Sequence, residues 1–318
     1  MRLPSRFAGG LLAAALGLPL PARQEMPTFR ADTRLVVLHA TVVDKNGKFV
    51  TNLERPAFRV YENNVEQQLK IFKREDVPVS MGIVIDNSGS MLEKRKKVEE
   101  AALGLVKASN PEDEVSIVNF NDEVFLDVDL TNDLKKLEEG IARIDSRGGT
   151  EMRDAIDLSM DYLRTKGKRD KKVVVVITDG NDNASDITLE RLVGKAQQRE
   201  VLVYTIGLLN EEEKREAKRA KRALDAIAQA TGGVSYYPNH VEDVEKFALQ
   251  VAHDIRNQYV LAYSPRNQAL DGTFRQIRVA ATGPGRPEVR TRTGYYANAD
   301  LAQGVAPRPG GGTQDPNR

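Results

Sequence analysis

The chain has 318 residues, of which 40% are hydrophobic, so it is long enough to bury a full core. Its 47 basic and 46 acidic residues leave a formal net charge of +1, which excludes a broad field that would attract nucleic acid or anionic lipid. Cysteine is absent, which excludes disulfides, thiolate metal sites and a cysteine nucleophile.

The N-terminal segment predicts export from the cell. Arg2 and Arg6 precede an apolar run over residues 7–20, and Pro21 and Ala22 follow it. This run is short for a bilayer span, so we interpret residues 1–24 as a secretory signal peptide, with an uncleaved anchor as the alternative. We therefore expect a periplasmic or extracellular protein whose mature chain has no integral membrane span.

Residues 25–77 predict a small N-terminal β module. A strand with the sequence LVVLHATVVD ends at a tight turn over residues 45–48. Two further strands are predicted at 58–61 and 68–72, separated by the turn signal Glu62, Asn63 and Asn64.

The pattern changes at residue 78. Continuous apolar runs at 81–85, 115–118, 173–177 and 201–206 alternate with segments whose apolar residues recur every three or four positions. Such runs are typical of parallel strands that are buried on both faces. The alternation of apolar residues over 124–130 predicts one antiparallel edge strand. We predict a doubly wound, mostly parallel α/β domain over residues 78–257.

The last part of the chain predicts strands again, at 259–263, 274–280 and 289–296. Neither these strands nor the N-terminal strands have enough apolar residues to form a hydrophobic core by themselves. We therefore expect residues 258–300 to pair with the N-terminal module in one accessory β unit. The segment 301–318 is rich in Gly and Pro and is predicted to be a disordered tail.

Oxygen-bearing side chains follow the predicted strands. Asp86, Ser88 and Ser90 come directly after the first parallel strand, Thr150 follows a pair of glycines, and Asp179 ends another strand. Ligands of open α/β sheets bind at the carboxyl ends of the strands, so these five residues are expected to converge. Carboxylate and hydroxyl oxygens suit Mg²⁺, Ca²⁺ or Mn²⁺. The sequence therefore predicts a divalent-cation site.

These motifs resemble the von Willebrand factor type A domain and its metal-ion-dependent adhesion site, and the flanks are similar to exported bacterial proteins related to that domain. The resemblance implies that Ser88 and Ser90 bind the ion directly, as does Thr150 in the ligand-competent form. It implies that Asp86 and Asp179 act through water and orient the hydroxyls. An acidic side chain of a partner protein would complete the coordination, with Mg²⁺ as the first choice of ion.

The predicted function is a non-enzymatic, metal-dependent protein-binding module of the cell envelope, for adhesion or scaffolding. No catalytic residue is predicted, because His39, His240 and His253 are interpreted as structural or solvated. Two alternatives stay open. In one, the ion only fixes the loops and partners bind the β unit; in the other, less favoured one, the chain is a metal-dependent phosphoester hydrolase.

Two charged segments are expected to be solvent-exposed helix faces. They are the basic cluster 94–97 and the segment 211–222, in which acidic and basic residues mix at helical spacing.

Overall fold

The computed structural model describes residues 34–74, 76–143, 148–180, 182–209 and 214–298. The predicted signal peptide 1–24 and the predicted tail 301–318 lie outside the described residues. Along the part of the chain that is described, no helix combines the length and the apolarity needed to cross a bilayer.

Strands and helices alternate through the middle of the described residues, and strands form most of the regular structure in the described segments on either side. The strands are β1 Val36–Val43, β2 Phe58–Glu62, β3 Val65–Gln67, β4 Leu69–Lys73, β5 Val79–Asp86, β6 Glu114–Phe120, β7 Val124–Thr131, β8 Lys171–Thr178, β9 Val201–Gly207, β10 Ser235–Tyr236, β11 Tyr259–Tyr263, β12 Phe274–Ala281, β13 Glu288–Arg290 and β14 Gly294–Tyr296. The α-helices are α1 Arg95–Lys107, α2 Leu134–Ala142, α3 Met152–Lys166, α4 Leu189–Arg199, α5 Lys214–Thr231 and α6 Val244–Arg256.

A six-stranded sheet forms the centre, in the order β10-β9-β8-β5-β6-β7. Every residue of β5 and β9 is buried, as expected for strands covered on both faces. β5 pairs in parallel with both β6 and β8, whereas β7 runs antiparallel to β6 at the edge. The alternating pattern over 124–130 therefore predicted the one antiparallel pairing of this sheet correctly.

Helices cover both faces of the central sheet. The apolar faces of α1, α2 and α6 share one core with residues of β5, β8 and β9. Those of α3, α4 and α5 share a second core with the alternate residues of the same strands. This arrangement confirms the predicted doubly wound α/β class.

The strands from the two ends of the chain form two four-stranded sheets, β13-β1-β11-β4 and β14-β12-β2-β3. β1 pairs antiparallel with β11, and β2 pairs antiparallel with β12. Their inward side chains share a third core, which includes Leu38, Val60 and Leu261. The predicted accessory β unit of N- and C-terminal strands is confirmed.

One predicted strand was wrong in extent. Residues 289–296 form two short strands, β13 and β14, which belong to different sheets. Between them the chain approaches Gly232 so closely that a Cβ on this glycine would lie 2.6 Å from the Arg292 nitrogen. Thr293 also donates its N–H to the Ala230 carbonyl at the end of α5. These contacts with α5 take the chain out of one sheet and into the other.

Candidate metal centre

The first loop of the site follows β5. Asp86 ends the strand and is 2% exposed, and its Oδ1 accepts the Ser88 N–H at 2.9 Å. The hydroxyl oxygens of Ser88 and Ser90 lie 3.1 Å apart. Alternate residues of this loop therefore place two hydroxyls together, next to a buried carboxylate.

The second loop follows β8. Thr178 donates its hydroxyl to Asp86 Oδ2 at 2.6 Å and accepts the Gly180 N–H at 2.8 Å, which ties this loop to the first one. Asp179 is 9% exposed. Its Oδ2 lies 3.4 Å from the Lys94 ammonium, while its buried Oδ1 has no hydrogen-bond partner among the described residues.

The third loop carries Thr150, which is 3% exposed. Its N–H donates to Asn183 Oδ1 at 3.0 Å, and its carbonyl accepts the N–H groups of Asn183 and Ala184 at 3.2 Å each. The loop also approaches the first one, because a Cβ on Gly89 would lie 4.0 Å from the Gly148 carbonyl oxygen.

The five predicted residues thus lie on three adjacent loops at one edge of the sheet, with unequal mutual contacts. Asp86, Ser88 and Ser90 are linked directly, and Asp179 joins them through its neighbour Thr178. Within the described residues, no hydrogen bond joins the Thr150 side chain to the other four; its loop meets theirs through backbone.

The electrostatics of the site favour an added positive charge. Burial, together with the negative charge of Asp179, raises the pKa of the Asp86 carboxyl from 3.8 to about 6. Hydrogen bonds from Ser88 and Thr178 oppose this rise without cancelling it. Asp86 and Asp179 are two buried carboxylates, and the Lys94 ammonium, 3.4 Å from Asp179, is the one cation that contacts them among the described residues, so a divalent cation would stabilise this site.

The donor set fits a hard cation. Nowhere in the described part of the chain do three or more His, Cys, Asp or Glu side chains group to hold a metal, so an ion at this edge would depend on hydroxyl oxygens as well as carboxylates. The unpartnered Asp179 Oδ1 and the adjacent serine hydroxyls provide such oxygens.

Sequence reasoning missed the roles of three residues of this centre. For Thr178 and Asn183 it missed the role: Thr178 stands in the predicted Asp179 loop and Asn183 follows that loop, and their side chains make hydrogen bonds that tie the three loops together. Lys94 was expected on a solvated helix face, and this was wrong. Its ammonium points inward to Asp179 and to the Leu208 carbonyl at 3.3 Å, because the chain from 89 to 94 has not yet entered α1.

Comparison with known proteins gives one family match: residues 81–181 match the family model described as von Willebrand factor type A domain. An uncharacterised protein of Borreliella burgdorferi is 29% identical over 142 residues, which is 43% of this chain and 40% of that protein. Calcium-activated chloride channel regulator 1 of Mus musculus is 24% identical over 166 residues, 49% of this chain and 16% of that one. The chain thus spans less than half the length of the curated relatives it matches.

Among solved structures, proximal thread matrix protein 1 from the mussel byssus, with a zinc-occupied MIDAS motif, superposes with a TM-score of 0.50. It is 15% identical, and the match covers 61% of this chain and 50% of that chain. At this identity the likeness concerns the fold.

Proposed function

We propose that the chain is a non-enzymatic protein-binding module that takes an acidic side chain of its partner through a divalent cation. The match of residues 81–181 to the von Willebrand factor type A family model supports this proposal. The observation that carries the proposal is the pair of buried carboxylates, Asp86 and Asp179, beside the paired hydroxyls of Ser88 and Ser90. One oxygen of Asp179 has no partner among the described residues and is available to an ion or to its bound water.

In this proposal Ser88, Ser90 and Thr150 bind the ion, and Asp86 and Asp179 orient the hydroxyls and hold water. A bound cation supplies positive charge to a carboxylate from outside. Neutral hydroxyls next to the ion leave its charge largely uncompensated, so it keeps a high affinity for such a carboxylate. Mg²⁺ suits this small oxygen-only site best, with Ca²⁺ and Mn²⁺ as alternatives.

Two observations support a divalent ion in preference to a purely structural crevice. Burial and, after it, the negative charge of Asp179 raise the pKa of Asp86, so a positive counter-charge at this position would favour the ionised carboxylate. In addition, proximal thread matrix protein 1 has the same fold and is described with a zinc-occupied MIDAS motif, so this fold accommodates such an ion.

The proposal places the protein outside the cytoplasm, in the periplasm or beyond, as an adhesion or scaffold component of the cell envelope. It rests on the charge and apolarity pattern of residues 1–24, in which two arginines precede the apolar run. Expression of the full chain and N-terminal sequencing of the product test this part; a retained Met1 in the cytoplasmic fraction would contradict it.

The test of metal binding is calorimetric titration of the full chain with Mg²⁺, Ca²⁺ and Mn²⁺, comparing wild type with Ser88→Ala. Ser109→Ala is the matched control, because this hydroxyl bonds only within its own helix turn, to the Leu105 carbonyl. We expect Ser88→Ala to lose roughly 100-fold or more in metal affinity and Ser109→Ala to bind as wild type.

The test of partner binding is affinity capture from a cell-envelope extract with and without EDTA. Capture that survives EDTA and Ser88→Ala would contradict the acidic-ligand proposal. If EDTA also lowered the melting temperature, such capture would favour the second candidate, in which the ion fixes the loops and partners bind the β unit. That candidate is favoured by edge strand β3, where Val65 is 46% exposed at the rim of its sheet.

A further inference from the structure

The two sides of the metal centre carry opposite charge. In the sheet order, β8 and β5 lie side by side in the middle and bear the Asp179 and Asp86 loops. β9 lies outside β8, and β6 lies outside β5. The loops that leave the carboxyl ends of β9 and β6 therefore flank the centre from opposite directions.

The flank beyond β9 is basic. Helix α5 follows β9 and packs against the Asp179 loop, since a Cβ on Gly180 would lie 2.7 Å from the Ala220 Cβ. Lys218 and Lys221 line an open cavity of about 290 Å³ together with Gly207, which pairs with Thr178 across the two strands. The cavity therefore begins one strand away from Asp179, and two exposed lysines line it; the Lys221 ammonium also lies 3.7 Å from Asp225 Oδ2.

Lys94 adds a third cation on this side, because its ammonium contacts both Asp179 and the Leu208 carbonyl just after β9. The first nine residues of α5, 214–222, contain six basic residues and one acidic residue. Glu211 to Glu213 precede them in the sequence and lie outside the described residues. The term basic flank denotes Lys94, Lys218 and Lys221.

The flank beyond β6 is acidic. Asp122 and Glu123 are exposed in the turn between β6 and β7, and Asp122 lies so close to Gly148 that a Cβ there would collide with its carboxylate. Glu151 is held beside this turn, because its N–H donates to the Asn121 carbonyl at 2.7 Å. The term acidic flank denotes Asp122, Glu123 and Glu151.

We propose that the metal centre binds a protein segment whose charges are ordered along its length. A central acidic residue of this segment binds the cation, further acidic side chains lie over the basic flank, and basic side chains lie over the acidic flank. This inference rests on the proposed function and names the chemistry of its partner. Opposed patches on either side of one anchoring contact fix the direction in which a segment lies and discriminate against segments of uniform charge.

The experiment uses the full chain with saturating Mg²⁺ and four synthetic peptides at low ionic strength, with binding followed by NMR titration. All peptides have a central aspartate between glycines. One carries a glutamate block on one side and a lysine block on the other, two carry a single block with serines opposite, and one carries only serines. We expect each block to tighten binding about 5-fold, and high salt to remove the gain.

Charge reversals assign the blocks to the flanks. Lys218→Glu is expected to remove the gain from the glutamate block alone, and Glu123→Lys the gain from the lysine block alone. Lys166→Glu is the matched control, because this exposed lysine ends α3, which starts beside Thr150 and runs away from the site. Melting curves of all variants verify that each one is folded.

The outcomes separate the two ideas. Metal-dependent binding of all four peptides with equal affinity would overturn the charge-ordered surface and leave the acidic-ligand function standing. An equal loss in Lys166→Glu would also overturn it, because the effect would then be one of net charge. If no peptide bound in a metal-dependent way, both the inference and the acidic-ligand function would fail.

Discussion

The buried carboxylate of the β unit and those of the metal centre are arranged in opposite ways. Glu62 is 3% exposed, and its Oε2 accepts hydroxyl hydrogens from Tyr263 and Tyr295, each at 2.8 Å. Asp179 is nearly as buried but has one oxygen without a partner among the described residues, and burial, followed by the charge of Asp179, raises the pKa of its neighbour Asp86. A buried acid with its partners in place stabilises the fold, whereas an incompletely paired one costs stability and keeps binding capacity.

The largest effect is expected in the β unit. Glu62→Ala leaves two buried tyrosine hydroxyls without their acceptor, so the free energy of unfolding should fall by roughly 2–5 kcal/mol. Urea denaturation measures this loss of stability. The affinity for Mg²⁺, measured by calorimetric titration, should stay unchanged. Glu66→Ala is the control, because its side chain is 54% exposed and pairs only with Arg59 at the surface. Equal losses in the two variants would contradict the structural role of Glu62.

The second-largest effect is the pH dependence of the free energy of unfolding in the metal-free protein. The folded-state pKa of Asp86, about 6, lies above its ordinary value of 3.8, so the folded state binds this proton more tightly. The resulting stabilisation is complete below pH 3.8 and is lost as pH rises through about 6. In EDTA this contribution should amount to at most about 3 kcal/mol.

Urea denaturation of wild type and Asp86→Asn across this pH range isolates the contribution. We expect the stability of the two proteins to diverge between pH 4 and pH 7, with wild type losing more. If the free energies of unfolding of the two proteins changed with pH in parallel, Asp86 would not be the source of this pH dependence.

The third effect tests the loop that carries Thr150. Gly148 has φ +74°, and a Cβ there would collide with the Asp122 carboxylate. Gly148→Ala should cost about 1–2 kcal/mol and weaken metal binding, because the loop must move. Gly194→Ala is the control: no atom lies within 4 Å of its added Cβ, and in the interior of α4 alanine should stabilise by about 0.5–1 kcal/mol. A Gly148→Ala protein that melts like wild type would contradict this reasoning.

The smallest effect is expected at Lys94. Its ammonium lies 3.4 Å from Asp179 and competes with an incoming cation for that carboxylate. Lys94→Met should therefore raise Mg²⁺ affinity about 5-fold in calorimetric titration, the size of a partly exposed ion pair. Lys96→Met, an exposed neighbour in the same basic cluster, should change nothing. Weaker metal binding in Lys94→Met would show that the lysine supports the site.

Much of the fold was predictable because both-face burial leaves a strong pattern. The uniformly apolar runs of β5 and β9 and the alternation in β7 each correspond to a distinct position in the sheet. The division between β13 and β14 was not predictable, since it depends on a close approach to Gly232, which lies some sixty residues earlier in the chain.

The same distinction holds at the candidate metal centre. The spacing of Asp86, Ser88 and Ser90 places their groups together locally, so sequence reasoning could predict that part of the geometry. Other contacts depend on where separate loops meet in space. They are the hydrogen bonds of Thr178 and Asn183 between loops and the contact of the Lys94 ammonium with Asp179. No local pattern encodes such meetings, and the assignment of all five residues to one ion stays a prediction.

The pairing of the two chain ends has a consequence for the order of assembly. Apart from the local bridge between Val43 and Phe49, β1 pairs with β11 and β13 in the described structure, so Val36 must wait for Tyr263 across the whole α/β domain. Contacts of such long sequence separation form slowly. During synthesis the first strand is made early and lacks its β11 and β13 partners, and the β unit is completed only after every strand of the central sheet has emerged.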